Sequence, residues 1–186
     1  MKPFVHAACV ALAVAPFCGV AVQAEEHSVA GGTLTLTAPA SFREQPPRMA
    51  MIEREFSVAS PAGTDSAAAR MTMMRAGGST DANLARWIGQ FQGTEGGADR
   101  SESTITKRMI DSMPVTTLDH SGVYLDRPRG PFGPVTPTPG YRMLAAIVET
   151  GGDGSFFVKL VGPEPTVAAA ADDFTAMIES IRRTDD

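Results

Sequence analysis

The chain has 186 residues, of which 16 are basic and 21 acidic, and its formal net charge is −5 at neutral pH. This length fits one ordinary domain with a single hydrophobic core. An acidic surface repels phosphate backbones and anionic lipids, so the charge argues against nucleic-acid binding and against adhesion to a membrane surface.

The first 24 residues have the pattern of a secretory signal peptide. Lys2 gives a positive start, residues 4–22 are apolar apart from one histidine, and small residues precede a cleavage point after Ala24. We therefore predict a signal peptide over residues 1–24 and a mature domain over residues 25–186. The predicted location is the periplasm or the surrounding medium, with no membrane attachment after cleavage.

Two other interpretations of the leader stay open. A lipoprotein would use Cys18, but the bulky Phe17 occupies the position where a lipoprotein cleavage pattern has a small residue. An uncleaved membrane anchor has about enough apolar length, although Pro16 and the cleavage point argue against it. Both cysteines, Cys9 and Cys18, lie in the leader. The predicted mature domain therefore lacks a disulfide, a thiol nucleophile and a thiolate metal site.

Strands are predicted at the start of the mature domain. Three segments have strand patterns: Thr33–Thr37, Met51–Val58 and Ala68–Met74. Arg54 falls on the apolar side of the second segment. We expect its guanidinium to reach a partner at an edge of the sheet, because a buried unpaired charge is costly.

The periodicity then changes to that of a helix. After a glycine pair at residues 77–78, Ser79 or Thr80 can act as the N-cap, and apolar residues follow at helical spacing. The apolar stripe consists of Leu84, Trp87, Ile88 and Phe91. We expect this helix to bury that stripe against the sheet.

Further strands and a long loop are predicted after the helix. The strands are Ser103–Ile110, Val115–Leu118 and Val123–Leu125. The segment Asp126–Gly140 contains five prolines and three glycines, a composition that cannot sustain a helix or a central strand. We predict an exposed Pro/Gly-rich loop over residues 126–140, either functional or simply flexible.

A β-hairpin is predicted near the end of the chain. Tyr141–Glu149 and Ser155–Val161 flank a glycine-rich turn. Leu144–Val148 is apolar on both faces, so this strand should be central in its sheet, with helices covering both faces.

A closing helix completes the predicted fold. Thr166 is its expected N-cap, and Arg182 and Arg183 suit its last turn, where cations complement the helix dipole. Strands in neighbouring antiparallel pairs, with one inserted helix and one closing helix, are typical of an α+β protein. We predict an antiparallel sheet of about six strands sandwiched by helices, which is an α/β/α arrangement.

Three segments resemble an uncharacterised group of exported bacterial proteins: residues 83–91, residues 141–149, and residues 156–163 with the helix that follows. That group is related in fold to PsbP, the extrinsic subunit of photosystem II, and to the periplasmic protein DcrB. The resemblance covers most of the mature chain and implies a single PsbP-like domain. It implies no reaction, and nothing here matches the docking segments of PsbP, so no photosynthetic role is implied.

The resemblance also singles out a set of positions as a common surface for a ligand or a protein partner. The set consists of Asn83, Arg86, Trp87, Gln90, Tyr141 and Arg142. Asn83, Arg86 and Gln90 are spaced i, i+3 and i+7, so they share one flank of the predicted helix. The alternative is that these side chains tie the helix to neighbouring backbone.

Few groups in the mature domain can support catalysis. Its histidines are His27 and His120. The Asp119–Ser121 triplet contains His120, but neighbouring strand residues point to opposite faces and triads are assembled from separated segments, so we predict a solvated turn. Glu53 and Glu55 share a strand face that we expect to meet solvent. No nucleophile elbow, phosphate loop or zinc-helix motif is present, and we predict no catalytic residues and no cofactor.

Methionines suggest one metal site. Met71 and Met73 share a strand face, and Met49 and Met51 could do so on a neighbouring strand. Thioethers outside the cytoplasm can bind copper(I), although methionine is also a routine filler of hydrophobic cores. Core packing is the favoured interpretation, and no metal is predicted.

These observations leave several hypotheses about function. The leading one is an exported, non-enzymatic accessory or protein-interaction module with an unknown envelope protein as its partner. A second is a small-ligand binding domain, in which Arg86, Tyr141 and Arg142 meet an anionic or polar group and the Pro/Gly-rich loop forms a rim. A third is a weak hydrolase that uses His120. The fourth is periplasmic copper(I) binding through methionines.

Overall fold

The computed structural model describes residues 23–92, 103–127, 133–151 and 154–184, which form strands and three helices. The strands are β1 (Glu25–Val29), β2 (Leu34–Ala38), β3 (Phe42–Gln45), β4 (Arg54–Val58), β5 (Ala69–Ala76), β6 (Phe91–Gln92), β7 (Ser103–Ile110), β8 (Met113–Asp126), β9 (Thr136–Glu149), β10 (Ser155–Pro163) and β11 (Arg182–Arg183). The helices are α1 (Thr80–Ile88), α2 (Glu164–Ala169) and α3 (Ala171–Glu179).

The described strands form one large antiparallel sheet and one small sheet. The large sheet has eight strands, with the order β3-β4-β5-β10-β9-β8-β6, and β7 pairs with β8 on the same edge as β6. The small sheet has the order β1-β2-β11. The prediction of about six strands was therefore too low. The strands that it missed, β1, β3, β6 and β11, have two to five residues, too few for a clear alternating pattern.

β9 is central in the large sheet, as its apolar sequence predicted. It pairs with β10 on one side and with β8 on the other, and the side chains of Leu144–Val148 are all buried. Because successive side chains of a strand point to opposite faces, β9 contributes to two separate hydrophobic cores.

The larger core lies on the face that α2 and α3 cover, which we call the α3 face. The small sheet packs beside these helices and completes this core. Completely buried side chains include Leu34, Met71, Met73, Phe156 and Leu160. Burial of this much apolar surface is the main source of stability for a domain without disulfides.

The predicted closing helix is two helices, α2 and α3, which meet at Ala170. Thr166 lies inside α2 and does not cap a helix, because its hydroxyl donates to the carbonyl of Ala67 at 2.9 Å. Arg182 and Arg183 are not in the last turn of the helix either. They form β11 and pair with β2.

The opposite face, which we call the α1 face, is only partly covered. α1 begins after the predicted N-cap Ser79, whose hydroxyl accepts a hydrogen bond from the Ala82 N–H at 3.2 Å. Leu84, Trp87 and Ile88 pack in the smaller core on β8, β9 and β10. With nine residues α1 is only about 13 Å long, so among the described residues no helix lies over the β4–β5 half of this face.

β8 is longer than predicted. It runs from Met113 to Asp126 with a register irregularity at Gly122–Tyr124, where the sequence suggested two strands and a turn. Pairing with β9 from Val115 to Asp126 maintains the strand through this irregularity.

The Pro/Gly-rich loop is shorter than predicted at its C-terminal side. β9 begins at Thr136 and pairs with the end of β8. β10 ends at Pro163, opposite Tyr141, so residues 136–140 pair on one side only, and proline is tolerated at such edge positions. Residues 128–132 of the predicted loop lie outside the described residues.

Arg54 has the edge partner that its position in β4 required. Its Nη1 donates to Glu44 Oε1 at 2.6 Å, and its Nε and Nη2 donate to the carbonyl of Ser28 at 3.3 and 3.2 Å. The prediction of an edge contact for this guanidinium is therefore confirmed.

Residues 1–22, which contain almost all of the predicted leader, lie outside the described residues, so the signal peptide stays a prediction. Among the described ranges, no helix is both long enough and apolar enough to cross a bilayer.

Candidate functional site

The uncovered half of the α1 face carries polar and charged side chains. Strand register places Glu55, Thr72 and Lys159 side by side on β4, β5 and β10. The neighbouring row consists of Ser57, Arg70 and Val161. Such side chains at the centre of a sheet are unusual unless they are paired or functional.

Glu55 is buried although it is charged, with only 2% of its side chain exposed. Arg70 donates to it twice, from Nε to Oε1 at 2.8 Å and from Nη2 to Oε2 at 2.9 Å. The Arg48 backbone N–H donates to Oε2 at 3.1 Å, and the Arg48 Nε lies 3.1 Å from Oε1. The prediction that Glu55 faces solvent was therefore wrong, because two arginines enclose it.

These contacts change the acidity of both partners. The Arg70 hydrogen bonds hold the pKa of Glu55 below its ordinary value despite its burial, and the Arg48 N–H adds to the effect. Hydrogen bonding to Glu55 raises the pKa of Arg70. The pair is therefore ionised at neutral pH, and it fixes the segment between β3 and β4 over the sheet.

Lys159 is a half-buried cation whose hydrogen-bond partner is neutral. Its Nζ donates to Gln90 Oε1 at 3.1 Å. Burial, together with the nearby charges of Arg70 and Arg86, lowers the pKa of Lys159 to about 8. A perturbed cation in a concave site is a common mark of a functional position.

Two depressions adjoin each other on this part of the α1 face. One has a volume of about 530 Å³ and is lined by Arg48, Arg70, Tyr124, Asp126, Arg127 and Tyr141, among others. The second has a volume of about 400 Å³ and is lined by Thr72, Met74, Arg86, Gln90, Phe157 and Lys159, among others. Arg70 and Thr72 are successive residues on one face of β5, so the two depressions are neighbours on this face, and we call them together the cationic groove. Both volumes lie in the range of about 300–1,000 Å³ typical of ligand sites.

The cationic groove is positive in an otherwise acidic protein. Among the residues that the structure describes, five cations line it, and two carboxylates lie in it or directly beneath it. The cations are Arg48, Arg70, Arg86, Arg127 and Lys159, and the carboxylates are Glu55 and Asp126. Apolar walls and the floor of the sheet concentrate this field, so the groove favours an anion.

Two tyrosines form one end of the groove. The rings of Tyr124 and Tyr141 are stacked, with centroids 5.7 Å apart and an angle of 3° between their planes. Burial raises the pKa of the Tyr124 phenol, and the charge of Asp126 adds to the rise. This phenol therefore stays neutral at physiological pH and can donate a hydrogen bond.

The structure brings four of the six predicted surface residues to the cationic groove. Arg86 is exposed at its rim, Gln90 contacts Lys159, and Tyr141 forms its end. Trp87 is buried in its wall, where its ring packs edge-on against Phe157 with 5.3 Å between centroids.

The structure does not bring Asn83 and Arg142 to this groove. Asn83 is buried, and its Nδ2 donates to the carbonyls of Gly77 and Ser79 at 3.2 and 3.0 Å, which matches the backbone-tying alternative. Arg142 points to the α3 face, where its Nε and Nη2 bind the Asp119 carboxylate at 2.8 and 2.6 Å. Tyr141 and Arg142 diverge because adjacent strand residues point to opposite faces.

The Asn83 contacts give a testable prediction about stability. We expect Asn83→Ala to lower the free energy of unfolding by about 1–2 kcal/mol, because the Gly77 and Ser79 carbonyls lose the side-chain donor and the Ser79 carbonyl keeps only the backbone N–H of residue 83. Urea denaturation followed by circular dichroism measures this change. Gln92→Ala, an exposed amide on β6, is the control and should change stability by only a few tenths of a kcal/mol. Equal effects of the two variants would contradict the structural role of Asn83.

Sequence reasoning missed the residues that form the floor of the groove. Glu55, Arg70 and Lys159 are far apart in sequence and strand pairing brings them together, whereas Arg48 lies in the segment before β4. One signal was available: Lys159 is the single charged residue in the otherwise apolar strand β10. A lone cation in a predicted central strand indicates a pocket or a partner.

His120 is not in a solvated turn, so that prediction was wrong. It is buried inside β8, its Nδ1 lies 2.9 Å from Ser103 Oγ, and its ring packs edge-on against Phe91 at 4.7 Å between centroids. Asp119 points to the other face of the sheet and binds Arg142. The Asp119–Ser121 triplet therefore does not assemble a catalytic triad.

The four candidate methionines do not come together. Met71 and Met73 are completely buried in the core of the α3 face. Met49 and Met51 are 45% and 65% exposed and line the cationic groove on the opposite face. Among the described residues, no cluster of three or more His, Cys, Asp or Glu side chains could hold a metal ion.

A third depression lies on the α3 face between α3 and the edge of the sheet. Its volume is about 260 Å³, and its lining includes Thr104, Thr106, Thr117, Thr175 and Arg142. The Asp119 carboxylate neutralises Arg142 in this depression. It therefore lacks the excess positive charge of the cationic groove.

The fold is PsbP-like. It is similar to the solution structure of cyanobacterial PsbP (CyanoP) from Synechocystis sp. PCC 6803, with a TM-score of 0.50, 13% identity, and coverage of 93% of this chain and 99% of that one. It is also similar to the crystal structure of LpqN, involved in cell envelope biogenesis of Mycobacterium tuberculosis, with a TM-score of 0.51, 12% identity, and coverage of 88% and 91%. At the level of sequence, neither a family model nor a curated protein matches the chain.

Proposed function

We propose that this chain is an exported, non-enzymatic accessory module that binds an anionic ligand in the cationic groove. The observation that carries the proposal is the excess of cations over carboxylates along one uncovered half of a sheet, in a chain whose net charge is −5. An acidic protein gains nothing in stability from collecting cations in one place, because their mutual repulsion is unfavourable. A bound anion removes that repulsion.

The contacts within the groove support this function. Glu55 binds Arg70 and Arg48 and is not available to Lys159, which lies two strands away across Thr72, at a distance of about 10 Å. Gln90 holds the Lys159 ammonium in place without neutralising it. An anion above Lys159 and Arg86 therefore meets prearranged donors.

The arrangement of the potential catalytic groups favours binding over catalysis. His120 contacts Ser103, but it lies in the core beneath Phe91, and Asp119 is on the other face of the sheet. A hydrolase needs its base beside a nucleophile at a site that a substrate can reach.

Two observations support an extracytoplasmic location. The leader has the pattern of a signal peptide. The structurally similar LpqN is involved in cell envelope biogenesis. A thiol-free mature domain that is stabilised by packing alone also suits an oxidising compartment.

A titration with simple anions tests the proposed function. We expect acetate, octanoate, sulfate or phosphate, added at constant ionic strength, to give saturable backbone amide shifts confined to the groove in NMR spectra of the ¹⁵N-labelled protein. Arg86→Ala should weaken the binding of the responding anion by about ten-fold, because one cation at the rim is lost.

Arg75→Ala is the matched control for this titration, because Arg75 is an exposed arginine whose neighbour in β10, Phe156, points to the α3 face. Its binding curve should be unchanged. The proposal is wrong if no anion gives a saturable shift, or if Arg86→Ala and Arg75→Ala respond equally.

A further inference from the structure

We propose that the depression around Lys159 takes a carboxylate joined to an apolar group, such as a medium-chain fatty acid. This inference rests on the proposed function and names the class of its ligand. It concerns only the second of the two depressions in the groove, which has a volume of about 400 Å³.

The walls of this depression divide into an apolar part and a polar part. Met51, Met74, Trp87 and Phe157 form the apolar part. Met51 is 65% exposed, and a ligand with a hydrocarbon group would cover it. The polar part consists of Thr72, Arg86, Gln90 and Lys159. A molecule that is apolar at one end and anionic at the other matches both.

The donors at the polar end suit a carboxylate. Lys159 offers a compact ammonium, and Thr72 beside it on β5 is a hydroxyl donor. The guanidinium fork of Arg70 already binds both oxygens of Glu55, so Lys159 and Arg86 are the cations left for a ligand at this end. A phosphate is larger in charge than a carboxylate and has more oxygens to satisfy, so a singly charged head group suits these few donors better.

The chain provides its own reporters for a binding experiment. Trp87 is the only tryptophan and lies in the wall of the depression, so its fluorescence should change when the ligand binds. The chain outside the predicted leader has two lysines, Lys107 and Lys159. Reductive methylation with ¹³C-formaldehyde gives each one an NMR signal, and the two signals can be titrated separately.

We expect octanoate to change Trp87 fluorescence with a saturable curve. Octan-1-ol, which lacks the charge, and acetate, which lacks the chain, should each bind at least about ten-fold more weakly. Lys159→Met should weaken octanoate binding by about ten-fold or more, whereas Lys107→Met, on the exposed edge strand β7, should leave it unchanged. Because Lys159→Met removes a half-buried charge, it should fold at least as well as the parent protein.

Octanoate binding should also depend on pH. The groups that face Lys159 are Arg70 on β5, Arg86 on α1 and, across Thr72, Glu55 on β4. The lowered pKa of Glu55 and the raised pKa of Arg70 keep both groups ionised between pH 7 and pH 9, so Lys159 is the group that changes charge there. Affinity should therefore fall as the pH rises through about 8, and bound octanoate should raise the pKa of the methylated Lys159 but not that of Lys107.

A second binding experiment distinguishes two sources of the carboxylate, a fatty acid and the C-terminus of a protein chain. A short N-acetylated peptide that ends in leucine presents the same chemistry as the terminus of a protein chain. Saturable binding of octanoate or of this peptide, lost in Lys159→Met, supports the inference and identifies the source. Sulfate or phosphate binding without either carboxylate overturns the inference and leaves the proposed function standing. If none of these anions binds, both are overturned.

Discussion

Replacing Gly162 with alanine is expected to lower the free energy of unfolding by about 2–3 kcal/mol. A Cβ at this position would lie 2.5 Å from the Ala69 Cβ and 2.7 Å from the Ala69 Cα, both far inside van der Waals contact. Gly162 is in β10 and Ala69 is in the adjacent strand β5, at the centre of the large sheet. Neither backbone can move without disturbing strand pairing, so the overlap is not easily relieved.

Urea denaturation of Gly162→Ala and Gly77→Ala measures this effect against a matched change. A Cβ at Gly77 would meet nothing within 4 Å, and the backbone there is not left-handed. We expect Gly77→Ala to change stability by less than about 0.5 kcal/mol. A Gly162→Ala protein as stable as its Gly77→Ala counterpart would show that β5 and β10 are not packed as described.

Replacing Glu55 with glutamine is expected to destabilise the protein by about 2–3 kcal/mol at pH 7. Glutamine has the same shape but leaves Arg70 without a counter-charge and presents an NH₂ group to one of its donors. Because Arg70 is 36% exposed, water compensates part of the loss, which keeps the effect below that of a fully buried pair.

The same substitution should change the acid dependence of stability. Arg70 holds the folded-state pKa of Glu55 below its ordinary value of 4.5, so the contribution of Glu55 is fully present above pH 4.5 and is lost as the pH falls through the lower folded-state pKa. Glu55→Gln removes this contribution, so its stability should fall less steeply below pH 4.5.

Urea midpoints measured between pH 3 and pH 7 test this prediction. Glu26→Gln, at an exposed position on β1, is the control and should follow the parent curve. If Glu55→Gln and the parent protein lose stability in parallel as the pH falls, the ion pair does not make the contribution assigned to it.

The parts of the fold that the sequence predicted well are those with a strong local pattern. The run Leu144–Val148 is apolar on both faces, and it is the centre of the sheet. Ser79 predicted the start of α1, and Leu84, Trp87 and Ile88 predicted its buried face, but Phe91, the fourth residue of the predicted stripe, lies beyond the end of the helix in β6. In these cases the local periodicity and the tertiary environment agree, which is why the prediction succeeds.

The sequence did not predict which faces of the strands are covered by other parts of the chain, because that depends on the tertiary structure. Alternation placed Glu55 on the polar face of its strand, but the arginines that enclose it come from β5 and from the segment between β3 and β4. A period of two gives the two faces of a strand and does not tell which one meets solvent.

The candidate site shows the same contrast between what a local pattern predicts and what the tertiary structure decides. Helical spacing put Asn83, Arg86 and Gln90 on one flank, but Asn83 is buried and Gln90 lies beyond the end of α1, so only Arg86 and Gln90 line the cationic groove. Alternation alone was enough to separate Tyr141 from Arg142, since they are adjacent in a strand. Their pairing came from the resemblance, which identifies positions without assigning them to a face.

The β2–β11 pairing affects how the polypeptide can fold during its synthesis. β2 begins at Leu34 and β11 ends at Arg183, so the small sheet stays incomplete until residue 183 has left the ribosome. The core that it helps to enclose remains open to water during that time. A contact between positions so far apart in sequence forms late, because closing a long loop costs chain entropy.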